Sequence, residues 1–158
     1  MTKQLYIAYG LNVSKKSMQR RCQTANPIAV ATLPGYQLVF QCRASGVRAN
    51  IIPAHDQEVP VVIWEITDKD EHRLDVYEGL EDGCCTKELL EIDVSGERVE
   101  ALAYIWEPRP YGVPNDPYLR TMAEGYLDFD LPIKALNDAI HHAYVKTVTN
   151  GASLRPAQ

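Results

Sequence analysis

No stretch of the 158 residues is a run of 18 apolar side chains, whereas a bilayer-spanning helix needs about 20; no membrane partner is expected. A surplus of positive charge is also missing. Sixteen Lys and Arg face 21 Asp and Glu, a formal net charge of −5, which argues against nucleic acid, whose phosphates call for the opposite sign. The cysteines, Cys22, Cys42, Cys84 and Cys85, form no CxxC pair and have no histidines at zinc spacing, so no metal is expected. Free thiols in a reducing compartment are the simpler reading. Residues 1–4 run directly into the first strand without space for a signal peptide, and a cytoplasmic location is expected. No internal repeat or low-complexity tract occurs. His55 and His72 have no serine or cysteine nucleophile motif beside them. His141 and His142, as neighbours, cannot share a helix face and read as complements to a helix dipole near its end. A histidine-based hydrolase is therefore not expected.

What is present is ordinary globular material, 46% apolar and 23% charged, enough for one domain with a real core. The domain is expected over 1–144. Residues 145–158 turn polar and weakly patterned, and a disordered or loosely docked tail is expected there. The most informative stretch is 5–14, Leu-Tyr-Ile-Ala-Tyr-Gly-Leu-Asn-Val-Ser. Its first half has little polar alternation and reads as a strand buried on both faces. Gly10 either takes a positive φ or admits a close approach, and Ser14 is placed to cap a helix over 15–21. Unpaired N–H groups at such a strand–Gly–helix junction suit a carboxylate or phosphate, although a strand ending in glycine is also plain turn chemistry. Lys15, Lys16, Arg20 and Arg21 on that helix are either a solvated face or a lure for a small anion.

The remaining elements follow from periodicity and punctuation. Residues 27–33 and 36–41 read as a hairpin about a Pro34-Gly35 turn; 49–53 is a short strand, 54–58 a polar loop, and 60–65 a strand buried on both faces. Thr67 and Asp70 have capping-box spacing, starting a helix at Asp68 that Gly79 ends. Strands 86–94 and 98–106 form a hairpin about Ser95-Gly96. Residues 107–117, with four prolines, form a rim or lid loop. Asp116-Pro117 opens a helix to about Asp128 with Tyr118, Leu119, Met122 and Tyr126 as its apolar stripe, and Pro132 opens another.

Glu78 falls at a helix C-terminus, where the dipole and the free carbonyls both disfavour a negative charge. A carboxylate held there is suited to proton transfer, unless it simply faces water.

Two motifs, in order, give the chain a family resemblance. Tyr6-Ile7-Ala8-Tyr9-Gly10-Leu11-Asn12 is similar to the Tyr-Gly-Ser-Asn-Leu loop of the γ-glutamylcyclotransferase-like (AIG2-like) family, and Leu74-Asp75-Val76-Tyr77-Glu78-Gly79 is similar to its Leu-Asp-x-x-Glu-Gly signature. The segments 33–40, 59–67 and 103–105, with Tyr118 before a helix, match in sequence order. The resemblance implies an α+β fold, a small mixed β-barrel with flanking helices, in which the glycine loop and the Glu-Gly helix end meet in one pocket. It implies cyclisation of a small-molecule γ-glutamyl amide to 5-oxoproline, with Glu78 catalytic, Tyr9, Gly10, Leu11, Asn12 and Tyr118 binding substrate, and no metal or organic cofactor. The oligomeric state is left open. Two departures bear on activity: Leu11 stands where the family usually has serine, and Cys84-Cys85 where a tyrosine usually follows. A non-catalytic binding module of the same fold, or a thiol enzyme using Cys84-Cys85, are the alternatives.

Overall fold

The computed structural model describes residues 3–154, ordered β1 (Lys3–Ala8), α1 (Lys15–Arg21), β2 (Asn26–Arg43), β3 (Gly46–Thr67), α2 (Asp68–Glu78), β4 (Cys85–Val94), β5 (Glu97–Trp106), α3 (Asp116–Asp128) and α4 (Ile133–Leu154). The strands form one mixed sheet in the order β2-β3-β1-β5-β4. β1 pairs antiparallel to β3, with Ile7 opposite Ile63, and parallel to β5, with Tyr6 opposite Leu102. A central strand has neighbours on both edges and layers over both faces, and Tyr6, Ile7 and Ala8 are accordingly buried. The expected α+β class holds, but the sheet is not closed into a barrel.

The expected hairpin over 27–41 is not formed. β2 runs unbroken through Pro34-Gly35 and pairs along its length with β3. Between the pairs Pro34↔Glu58 and Tyr36↔Pro53, the single residue Gly35 faces 54–57, so the Pro-Gly signal marks a bulge with Gly35 at φ 81°. The short strand, polar loop and second strand expected over 49–65 are one strand, β3, carrying that irregularity. The same residues punctuate turns and bulges; which one forms depends on the partner strand, and that is a tertiary matter.

The capping box is present: Thr67 Oγ1 accepts from Asp70 N–H (3.3 Å) and Asp70 Oδ2 from Thr67 N–H (3.1 Å). The Ser95-Gly96 hairpin is present too. α3 is capped by Asn115, whose Oδ1 accepts from Tyr118 N–H at 2.9 Å, and not by Asp116, which is the first helical residue. Residues 107–115 form a strap rather than a lid. Cys42 N–H donates to Pro110 O (2.8 Å) and Gly112 N–H to Phe40 O (3.2 Å), laying the segment along β2. α4 continues to Leu154, so residues 145–154 are helical and His141 and His142 sit mid-helix, away from the terminus where a dipole would matter. Residues 155–158 of the expected tail lie outside the described residues.

Candidate active site

Beyond Ala8 the chain leaves the sheet and enters a single 3-10 turn, Leu11–Val13, closed by Val13 N–H to Gly10 O and Ser14 N–H to Leu11 O, both 3.1 Å. The first N–H groups of such a turn, those of Leu11 and Asn12, have no carbonyl inside it to reach. Ser14 caps α1 as expected, accepting from Ser17 N–H at 3.3 Å, but it is the 3-10 turn and not α1 that opens onto the cavity. Gly10 lies at φ −110°, so a positive φ is not its reason to be glycine. Close approach is. A Cβ there would stand 3.1 Å from Ala49 Cβ. α3 fixes the turn from behind, because a Cβ on Gly125 would stand 2.7 Å from Ser14 N and Val13 C.

Glu78 lines the same cavity as this turn, a space of about 300 Å³. α2 is anchored to β4 and β5 by Lys87 Nζ, 2.6 Å from Glu71 Oε2 and 2.9 Å from Asp75 Oδ1, and by Tyr104 OH donating to Asp75 Oδ1 at 2.5 Å. Gly79 then takes the left-handed conformation, φ 68°, and ends the helix. Trp106 Nε1 donates to Glu78 Oε2 at 2.9 Å. Burial pushes the Glu78 carboxyl above the ordinary value, against the opposing pull of the Trp106 hydrogen bond and of the Arg21, Arg43 and Arg48 guanidiniums. A carboxylate whose desolvation outweighs three nearby cations holds its proton longer than an ordinary glutamate, which suits it to proton transfer.

All six residues singled out in the sequence, Tyr9, Gly10, Leu11, Asn12, Glu78 and Tyr118, line this cavity. Three have their polar atoms committed to the protein. Tyr9 OH donates to Tyr104 O at 2.5 Å. Asn12 Nδ2 donates to Tyr6 OH at 3.0 Å, and its Oδ1 accepts from Arg21. Tyr118 OH accepts from Ala49 N–H at 2.9 Å, and the residue is 6% exposed, so Tyr118 is at once core and cavity wall. Of the four basic residues on α1, Lys15, Lys16 and Arg20 are exposed, while Arg21 is half-buried with its guanidinium 3.4 Å from the Tyr77 ring centroid.

Sequence reasoning missed Tyr6, Arg43, Arg48 and Trp106, which also line the cavity, and Asn50, which supports it. Asn50 is fully buried. Its Nδ2 donates to Trp106 O and its Oδ1 accepts from Trp106 N–H, both 3.0 Å, joining β3 to the end of β5 where no strand pairing does. The sequence carries one usable sign of this, an asparagine inside an apolar β run. The cysteines are free. Burial, together with Glu78 and Cys84, pushes the Cys85 thiol up to about 11, which holds it protonated and inert as a nucleophile. Among the described residues, no three His, Cys, Asp or Glu side chains are grouped to hold a metal ion, and no helix is long and apolar enough to cross a membrane.

Comparison with known proteins places this geometry. A solved structure named gamma-glutamyl cyclotransferase is 21% identical with a TM-score of 0.80, over 87% of this chain and 86% of that one. An uncharacterized Homo sapiens protein gives 21% and 0.80 over 88% and 87%. YkqA from Bacillus subtilis gives 19% and 0.76 over 91% of this chain and 55% of its own. At these identities the likeness is one of fold. No curated protein matches at a significant level. The family model for gamma-glutamyl cyclotransferase, AIG2-like, matches residues 6–126, from the strand that ends in the Gly10 turn to the helix that carries Tyr118. Both motifs and the whole cavity fall within that span, and the chain belongs to the gamma-glutamyl cyclotransferase, AIG2-like family.

Proposed function

We propose that this protein cyclises a small-molecule γ-glutamyl amide to 5-oxoproline and releases the amine, with Glu78 as the proton relay. The observation that carries the reading is one small cavity lined both by a desolvated carboxylate and by a turn with free N–H groups. The substrate's α-carboxylate lies on the N–H groups of Leu11 and Asn12, which needs no side-chain hydroxyl and so tolerates Leu11. Held there, the α-nitrogen is folded back on its own γ-carbonyl, which supplies most of the entropic advantage of a five-membered ring closure. Glu78 removes a proton from the α-ammonium, the freed nitrogen attacks the γ-carbon, and the amide C–N bond breaks as its nitrogen is protonated. The α-nitrogen gives up two protons in all and the departing nitrogen takes two, so Glu78 ends as it began. The four free cysteines suit a reducing compartment, and the cytoplasm is the location we assign.

The test is a panel of γ-glutamyl amino acids, γ-glutamyl amines and glutathione, assayed for 5-oxoproline. Product from at least one compound is expected. Saturable binding by calorimetry without product from any compound would instead assign a binding module.

A further inference from the structure

The cavity carries more positive charge than that reaction uses. Arg43 ends β2 and Arg48 lies near the start of β3, on either side of the tip joining the two strands. Acids outnumber bases 21 to 16 in this chain, and Arg98 and Arg109 each have a carboxylate partner. Among the described residues, Arg43 and Arg48 have none, although both face the cavity beside a single acid, Glu78. Unpaired guanidiniums on a concave wall of a net-acidic protein leave the counter-charge to the ligand.

The two arginines occupy different sides. Arg48 is held by Ser45, through Oγ at 3.4 Å and O at 3.2 Å, and sits 5.1 Å from the Tyr118 ring centroid. Tyr118 OH is the group 3.6 Å from where a Gly10 Cβ would be, so Arg48 belongs to the cradle side. Arg43 lies 4.4 Å from the Trp106 ring centroid, and Trp106 is the ring that holds Glu78 Oε2. Of Arg43's five N–H donors, one reaches Glu107 O at 3.1 Å and one makes a long contact with Gln41 Oε1 at 3.5 Å; its Nε is sealed from solvent without an acceptor. One N–H on each terminal nitrogen is left without a protein acceptor, and open donors on a partly desolvated cation favour a bound anion.

Glu78 protonates the departing nitrogen, so that nitrogen lies beside Glu78 and Trp106. In an α-amino acid leaving group the carboxylate carbon is two bonds from the nitrogen, which brings it to the guanidinium stacked on that ring. An amine leaving group has nothing to offer there. We propose that Arg43 is a specificity residue that receives the carboxylate of the departing amino acid, so that this chain prefers γ-glutamyl α-amino acids to γ-glutamyl amines. The inference rests on the cyclotransferase reading of the site.

The test compares γ-glutamyl-alanine with γ-glutamyl-alaninamide, which are matched in size and differ in one charge. Wild-type kcat/KM is expected to favour the acid by about 10- to 100-fold, the worth of a charge-assisted hydrogen bond. Arg43→Gln should bring the ratio near one, Arg43→Lys should keep part of it, and Arg48→Gln should lower both compounds together with the ratio intact. If Arg43→Gln does not fold, Arg43→Met, with its aliphatic stem still on Trp106, reads the same ratio. A wild-type ratio near one, or a ratio unchanged in the folded Arg43 variant, overturns the proposal. If neither compound yields 5-oxoproline, calorimetry on the same proteins decides. Tighter binding of the acid that is lost in Arg43→Gln sustains the subsite, with the cyclisation then decided by the wider panel, whereas equal or absent binding of the two overturns the subsite itself.

Discussion

Replacing Glu78 by Gln separates proton transfer from everything else the side chain does. Gln keeps the length and an oxygen to accept from Trp106 Nε1, now at 2.9 Å, so the fold and the cavity should survive. What is lost is the exchangeable proton, and turnover should fall by at least about 10²-fold, the lower end for a missing general acid/base. Stability moves the other way. Burial outweighs the Trp106 hydrogen bond and the three guanidiniums, and the carboxyl is raised in the fold; the ionised form is thus less favoured there than in the unfolded chain. For a raised carboxyl the native state holds the proton longer. Wild-type stability should therefore decline as pH climbs from the ordinary glutamate value to the raised one, and then level off. Glu78→Gln removes that decline. The variant should match wild type in acid and gain on it toward neutral pH, with up to about 1 kcal/mol from relieving the helix C-terminus. The measurements are 5-oxoproline release, calorimetric binding, and thermal melts at several pH values; wild-type kcat/KM should also show an ascending limb at low pH that the variant's residual activity lacks. Wild-type turnover of any γ-glutamyl compound by a folded Glu78→Gln protein refutes the mechanism.

The other predictions concern the walls of the cavity. Gly10→Val should abolish binding of γ-glutamyl compounds, because its Cβ meets Ala49 Cβ at 3.1 Å and its branches must enter the cradle; calorimetric binding kept in the folded variant would remove the cradle. Tyr118→Phe leaves the Ala49 N–H without its acceptor and should cost about 1–3 kcal/mol by denaturant titration. An unchanged midpoint with an altered kcat would show instead that the hydroxyl serves the substrate. The Cys84→Ser/Cys85→Ser double variant should retain full activity, since the Cys85 thiol stays protonated at neutral pH; loss of turnover with an unchanged melt would bring back a thiol mechanism.

The sequence by itself determined the features that rest on near neighbours along the chain. The capping box at Thr67 and Asp70, the glycine stop after Glu78, the Ser95-Gly96 hairpin and the buried period of β1 each need only a few residues to be specified, and each is found where it was expected. Glu78 and the Gly10 turn were legible for the same reason, as local motifs with local physics. Tertiary structure decided what depends on partners distant in sequence. Pro34-Gly35 became a bulge because β3 was available to pair on both sides of it, and the sheet stayed open where a barrel was expected. Gly10 is glycine because of Ala49 and not because of its own φ. The positive wall came from Arg43 and Arg48, and the hold on Glu78 from Trp106 and Asn50, residues whose separation along the chain conceals that they meet. An arginine or an asparagine in a sequence announces a charge or an amide; what that group must neutralise or bridge is fixed only when the strands bearing it are brought together.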